Sequence, residues 1–320
     1  MKAAVYYQNG DPGVLKYETV ADPVCHPKGI VIRVEAVSVE GGDTLNRWRG
    51  ALTGRPHIVG YQAAGEIVEV GAEVTGLRVG QKVATCGAAG SHAELRAVAA
   101  TAAWPIPDGF DVKQASVMPV TFGTADECLF EAGRLTAGET VLIQAGASGV
   151  GVAAIQLAKR AGARVLATAS SDERLERLKA LGMDHGGNYA REDVVEWVMR
   201  VTGGKGVDLV VDSVGGATLQ ASLRALAYRG RVSMVGAAGR EPMRVDVSSL
   251  MGGNRTLRGV FLGAEIGAER VRANIQRLIE EAARGALKVV IDRTFPLSEA
   301  AAAHAYIESR KAVGRVLLIP

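Results

Sequence analysis

The sequence predicts an α/β protein in which a β-rich first part precedes a doubly wound parallel sheet. Three observations carry that expectation. Up to about residue 119, short apolar runs end at turn residues. From about residue 121, strand-like and helix-like segments alternate, and a glycine-rich loop joins the first such strand to the first such helix. A length of 320 residues exceeds the ~100–200 of one ordinary domain, so two are expected.

Taken in order, residues 30–34 and 64–71 alternate or run apolar and stop at glycine, as strands do. Asp11-Pro12-Gly13, His26-Pro27 and Pro107-Asp108-Gly109 supply turns. No long window in this part has helical period. Residues 140–144 then read as a strand, 151–161 as a helix and 164–168 as a strand. The next helix carries Leu175, Leu178 and Leu181 on one face, with Ser170 and Glu173 as its capping box. Residues 207–212 and 231–236 add two strands. Segment 269–284 places Val271, Ile275, Leu278 and Ile279 at helical spacing, and residues 289–291 and 316–319 read as strands flanking a short Ala-rich helix.

Composition narrows the function classes. Hydrophobic residues at 48% and charged residues at 22% exclude a disordered chain. A net charge of +3 without a dense Lys/Arg block gives no nucleic-acid footprint. Cys25, Cys86 and Cys128 lie far apart with no Cys-x-x-Cys, which argues against a cysteine-rich zinc knuckle or a disulfide framework. The uncharged run 140–158 contains Gln144, Ser148, Gln156 and three glycines, so it does not read as a membrane span. A cytoplasmic setting is expected.

The loop Gly146-Ala147-Ser148-Gly149-Val150 opens a helix after a strand. There, glycines let the backbone approach a pyrophosphate, and the helix N-terminus offers N–H groups to the anion. The spacing departs from Gly-x-Gly-x-x-Gly, and a glycine-rich turn that binds nothing is the alternative. An NAD site would place an acid at the tip of the second strand. That tip reads Thr168-Ala169-Ser170-Ser171 and is followed by Arg174. Hydroxyls and a guanidinium suit a ribose 2′-phosphate. The plainer reading makes Ser170 a helix cap and Arg174 a solvated charge, and Asp172 stands against a phosphate.

Residues 141–151, followed by Ala154-Ile155-Gln156-Leu157-Ala158-Lys159, resemble the medium-chain dehydrogenase/reductase family, and within it the zinc-free quinone oxidoreductase branch that includes zeta-crystallin. Gly60-Tyr61-Gln62-Ala63-Ala64-Gly65 with Gly71, Val74 and Gly80 extends the resemblance. So do Val207-Asp208, Asp212-Ser213-Val214-Gly215-Gly216, Gly230-Arg231-Val232 and Gly314-Arg315-Val316-Leu317-Leu318. It implies a GroES-like barrel domain over 1–121 and 263–320, and a Rossmann domain over 122–262 that binds NADPH. The implied cofactor residues are Thr124, Gly146, Ser148, Gly149, Val150, Ser170, Arg174, Tyr189, Val214, Gly236, Phe261 and Arg310. Thr124 is expected at the nicotinamide amide, and Ser170, Arg174, Tyr189 and Arg310 around the 2′-phosphate. Glu40, Asp43 and Tyr61 are the candidate catalytic groups, Tyr61 as a general acid, with packing under the cleft as the plainer reading of it.

The resemblance further implies hydride transfer to a quinone or an α,β-unsaturated carbonyl compound, and a homodimer joined edge to edge through residues 232–236 and 257–261. An alcohol dehydrogenase or ketone reductase of the same fold, and a non-catalytic NADPH-binding protein of crystallin type, are the rivals. Zinc-dependent relatives carry Cys near Asp43 and a Gly-His-Glu. This chain has Glu40 and Gly60-Tyr61-Gln62 there, short of the three protein ligands a catalytic zinc needs, so no metal is expected. It also departs from the branch in having Glu40 for Asn and Leu45 for an aromatic residue. Glu40 is read either as a proton relay or as a loop cap and salt bridge.

Overall fold

A computed structural model describes all 320 residues and divides the chain into two units. One comprises Met1–Gly123 with Gly263–Pro320, the other Thr124–Leu262. The first begins with β1 (Lys2–Tyr6), β2 (Lys16–Thr19), β3 (Gly29–Val39), α1 (Gly41–Arg49) and β4 (His57–Ile58). It continues with β5 (Gln62–Val70), β6 (Lys82–Cys86), β7 (Leu95–Ala99) and β8 (Ala103–Pro105). The second unit holds β9 (Thr140–Ile143), α2 (Gly149–Arg160), β10 (Arg164–Ala169), α3 (Asp172–Lys179), β11 (His185–Asn188) and α4 (Val194–Val201). Then follow β12 (Val207–Asp212), α5 (Gly216–Arg224), β13 (Leu226–Met234) and β14 (Thr256–Gly259). The chain returns to the first unit with α6 (Glu269–Ala283), β15 (Ile291–Pro296), α7 (Ala300–Glu308) and β16 (Arg315–Ile319).

In the second unit every pairing is parallel, in the order β11-β10-β9-β12-β13-β14. This is the Rossmann arrangement, with the order reversing between β9 and β12. Val141, Leu142, Val165, Leu166, Val210 and Val211 are buried, as expected of strands covered on both faces. In the first unit β2-β1-β4 form a small antiparallel sheet. A seven-stranded sheet runs β15-β16-β3-β5-β6-β8, with β7 also paired to β3. Only β15 and β16 are parallel within it. Its core joins Ile30, Ile32, Val37 and Ile67 to Val316 and Leu318 from the far end of the chain. Burying each such side chain is worth about 1.5–3 kcal/mol.

Four local expectations shift. The first part does contain a helix, α1, which no apolar periodicity announces because the residues it buries are Asp43, Thr44 and Arg47. Strand β11 reads His-Gly-Gly-Asn, with no β-branched residue, yet it completes the sheet. A Cβ on Gly187 would stand 2.7 Å from the Trp197 ring, so glycine admits α4 against the strand. The N-cap of α3 is Ser171, whose side chain accepts from the Arg174 N–H, and not Ser170. β15 begins at Ile291, where residues 289–291 had read as the strand.

Before β7, His92 meets His304 of α7, Nε2 to Nε2 at 3.0 Å, both rings fully buried. His92 Nδ1 lies 3.2 Å from Ser91 Oγ, while His304 Nδ1 has no partner. A bare acceptor nitrogen costs less than a bare N–H, so the favoured tautomer has His304 Nε2–H donating to His92. Burial, foremost, pushes His92 down to about 3 and holds His304 well below the usual imidazole range. In the unfolded chain both titrate near pH 6.5. The unfolded state therefore binds more protons below that pH, and stability falls as pH drops from 6.5 towards 3. The slope is on the order of 1 kcal/mol per pH unit for each imidazole. Urea unfolding at pH 7 and pH 5 should show this loss, and His92→Gln with His304→Gln should flatten it. An equal slope in both proteins would refute the assignment.

Candidate functional site

In the second unit, Gln144 leaves β9 and the chain turns through Ala145, whose φ of 52° is left-handed backbone. Gly146 donates to Thr168 O at 2.8 Å, and Ser148 caps α2 by accepting from the Gly151 N–H at 3.1 Å. A Cβ on Gly151 would stand 2.5 Å from Ala145 O, so only glycine lets the helix start so close under the loop. A buried polar chain braces the neighbouring strand tips. Ala145 N–H donates to Thr168 Oγ1, which donates to Gln144 Oε1 at 2.8 Å. Gln144 Nε2 donates to Ser222 Oγ at 3.2 Å, and Ser222 donates to Asp212 Oδ2 at 2.7 Å. The other Asp212 oxygen takes the N–H groups of Val214 and Gly215. Every link is satisfied, so the network stiffens the C-terminal edge of the sheet.

Because Ser171 takes over the capping, Ser170 is free to accept from Arg174 NH1 at 2.5 Å. Asp172 is engaged by Asn188 at 2.7 Å and by Arg191, which removes much of its opposition to an anion at this tip. Tyr189 follows β11 and is 43% exposed, its N–H donating to Ala169 O. Thr124 is buried, in Gly123–Asp126, between π-helical turns at Met118–Phe122 and Glu127–Ala132. Val214 and Gly236 follow β12 and β13, and Phe261, beyond β14, is exposed. Arg310 belongs to the first unit, exposed on left-handed backbone (φ 57°) just past α7.

In the first unit, Glu40 is the N-cap of α1 and is buried. Its Oε1 accepts from Gln62 Nε2 at 2.5 Å and Ser38 Oγ at 3.0 Å, and it pairs with Arg315 NH2 at 2.5 Å. Gln62 in turn accepts from the Val120 N–H. Of the two readings of Glu40, this geometry favours the cap and salt bridge. Asp43, at the third helical position, accepts the Glu40 N–H at 2.8 Å on Oδ2. Burial pushes the Asp43 carboxyl up to about 8, with Glu40 adding to it and the Glu40 N–H, Arg315 and Arg96 opposing. Tyr61 lies half-buried and accepts from Asn46 Nδ2 at 3.0 Å. Burial first, then the Asp43 charge, raises its phenol, so the O–H stays on.

Sequence reasoning had singled out Glu40, Asp43, Tyr61 and Gln62 but not Asn46, Ser38 or Arg315 as parts of this cluster. Arg315 stood in plain sight beside Gly314, but nothing local says that a buried carboxylate waits at the other end of the chain. No three His, Cys, Asp or Glu side chains converge to hold a metal ion.

Residues 26–108 match the alcohol dehydrogenase GroES-like domain and residues 149–284 the zinc-binding dehydrogenase domain. A 2-haloacrylate reductase of a Burkholderia species is 33% identical, over 99% of this chain and 98% of that protein. A quinone oxidoreductase of Pseudomonas aeruginosa is 32% identical over 97% of each. The structure of Escherichia coli quinone oxidoreductase complexed with NADPH superposes with a TM-score of 0.95 at 27% identity, covering all of both chains. The zinc in the second domain's description does not fit here. Glu40 is already neutralised by Arg315, and Tyr61 keeps its proton.

Removing Glu40 leaves the Arg315 guanidinium, about a tenth exposed, without its counter-charge. Glu40→Ala should therefore lower unfolding free energy by about 3–5 kcal/mol in urea titrations at neutral pH. A loss below about 1 kcal/mol would show that the pair does not hold the unit together.

Proposed function

The chain belongs to the medium-chain dehydrogenase/reductase family, in its zinc-free quinone oxidoreductase branch, and from that premise we propose that it is an NADPH-dependent reductase of quinones and α,β-unsaturated carbonyl compounds. The observation that carries this reading is a neutral phenol donor, Tyr61, in the place of a metal. Asn46 fills one lone pair of the Tyr61 oxygen, so its O–H must donate elsewhere. Bound NADPH supplies a hydride. Quinones and enones delocalise the added charge onto an oxygen, and one well-placed donor to that oxygen suits them. A simple aldehyde or ketone depends more on a Lewis acid.

The second unit's residues fit the cofactor. Gly146, Ser148, Gly149 and Val150 would hold the pyrophosphate at the start of α2. Ser170, Arg174 and Tyr189 would hold the 2′-phosphate. Thr124, Val214, Gly236 and Phe261 would hold the nicotinamide end. The Arg174–Ser170 hydrogen bond and the absence of an acid at the tip of β10 support NADPH over NADH. Glu40 keeps α1 in place, and we assign it no proton transfer.

The chain is further proposed to act as a cytoplasmic homodimer. No helix is long and apolar enough to cross a membrane. β14 ends the parallel sheet with an unpaired edge, near which Met251 and Phe261 are 80% and 74% exposed. A second copy adding its own β14 would cover that edge. Light scattering at micromolar concentration should give twice the chain mass, and a monomer would remove this part of the reading.

The reductase reading is tested by NADPH oxidation with a 1,4-quinone, an enone, a simple aldehyde and no acceptor. The first two should turn over, unaffected by chelator, and kcat/KM should favour NADPH over NADH by roughly 10- to 100-fold. Arg174→Ala should weaken NADPH selectively. Aldehyde reduction sensitive to chelator, or equal use of both cofactors, would contradict the proposal.

A further inference from the structure

A phenol oxygen can give its proton in one direction and take hydrogen bonds in others, and its neighbours decide which. Two residues of α1 lie against the Tyr61 oxygen. Gly42 and Asn46 stand one turn apart on the same helix surface. A Cβ on Gly42 would stand 2.3 Å from Tyr61 Cε2 and 2.8 Å from Oη, so glycine is what admits the ring against the helix. Asn46 Nδ2 then donates to Oη at 3.0 Å. The turn that carries Asn46 is itself fastened. Asn9, in the loop after β1, holds its Nδ2 3.0 Å from Asn46 O, 3.2 Å from Arg47 O and 3.0 Å from Gly50 O. The Gly10 N–H adds a bond to Arg47 O at 3.1 Å. The Asn46 amide is thereby ordered before any acceptor arrives.

Resting on the reductase reading, we propose that Asn46 is the positioning residue of the proton transfer, and that it raises enone turnover relative to quinone turnover. Its N–H occupies one side of the Tyr61 oxygen and leaves the O–H to the acceptor. As hydride addition charges the acceptor oxygen, the Tyr61 O–H bond breaks and the proton forms the enol O–H. The electron pair stays on the phenol oxygen. The Asn46 N–H then donates to an anion and no longer to a neutral oxygen, so its bond is stronger in the transition state than before it. Only such a difference accelerates a step. Burial, then the Asp43 charge, raises the phenol, and the Asn46 hydrogen bond opposes them. Once product has left, water returns the proton to the part-exposed Tyr61. Nothing beyond the acceptor and the hydride donor is reduced or oxidised. A quinone becomes aromatic as it is reduced and spreads the added charge over a ring and two oxygens, so it asks less of an acid than an enone does.

Asn46→Leu keeps the size of the side chain but has no N–H. With a saturating enone, kcat should fall about tenfold, the difference between a neutral and a charge-assisted hydrogen bond, while KM stays within about twofold. With a 1,4-quinone, kcat should fall less than about threefold. In a Tyr61→Phe background no phenol remains to orient, and Asn46→Leu should change enone turnover by less than about twofold. Asn46→Asp keeps the shape, but its carboxylate can only accept and would take the Tyr61 proton for itself. Enone kcat should fall there at least as far as in Asn46→Leu. Equal losses with both acceptors, as a packing role would give, an undiminished loss in the Tyr61→Phe background, or full enone activity in Asn46→Asp would overturn the proposal. Should Asn46→Leu fail to fold, Asn46→Asp decides by the same split between acceptors. No NADPH oxidation by the wild-type chain with either acceptor would instead remove the reductase reading, and this proposal with it.

Discussion

The ion pair between Glu40 and Arg315 is the constraint on which the rest of the first unit depends. Arg315 opens the last strand, β16, which pairs antiparallel with β3 and joins β15 to the seven-stranded sheet. Its guanidinium also donates to Ser38 Oγ at 3.2 Å and to Val39 O. A desolvated cation there is tolerated only with its counter-charge in place. Glu40 is at once that counter-charge and the N-cap of α1, so pairing β16 with β3 also fixes where α1 begins. α1 then presents Gly42 and Asn46 to Tyr61. The order of dependence runs from chain end to strand, from strand to helix, and from helix to phenol. Arg96 braces the same turn by donating to the carbonyls of Tyr61 and Ala89 at 2.7 and 3.2 Å.

The second unit applies the same logic without an ion pair. Asp212, Ser222, Gln144 and Thr168 form one buried chain of hydrogen bonds across three strands. Thr168 ends that chain on the Ala145 N–H, so the glycine loop is held from the side as well as from below. Such a loop presents its N–H groups to an anion without first having to order itself, which lowers the entropic cost of binding.

Much of this architecture was legible in the sequence, for identifiable reasons. β9, β10 and β12 are continuous apolar runs because both their faces are covered, and α6 buries Val271, Ile275, Leu278 and Ile279 as its periodicity foretold. α1 was hidden because its inward face is polar, and hydrophobic pattern cannot report a helix packed through Asp43 and Arg47. β11 was hidden because its glycines answer to the shape of Trp197 and not to strand propensity. The loop and the strand tip were visible as motifs, but the cap at Ser171, which frees Ser170 for Arg174, is a matter of one residue that only backbone geometry decides. The Tyr61 cluster was partly named from the sequence. Its organisation was not, because Glu40 and Arg315 meet only once the chain has folded back on itself.

The account's central claim is that bound NADPH delivers a hydride to carbon while a side chain of this protein delivers a proton to oxygen. The most direct measurement is the position of label in a reduced enone. With NADPH deuterated at the transferred position, the account predicts deuterium on the β-carbon. With ordinary NADPH in heavy water, it predicts deuterium on the α-carbon, acquired as the enol relaxes to the ketone. Label on the carbonyl carbon, giving an allylic alcohol, would contradict it and assign the chain to carbonyl reduction.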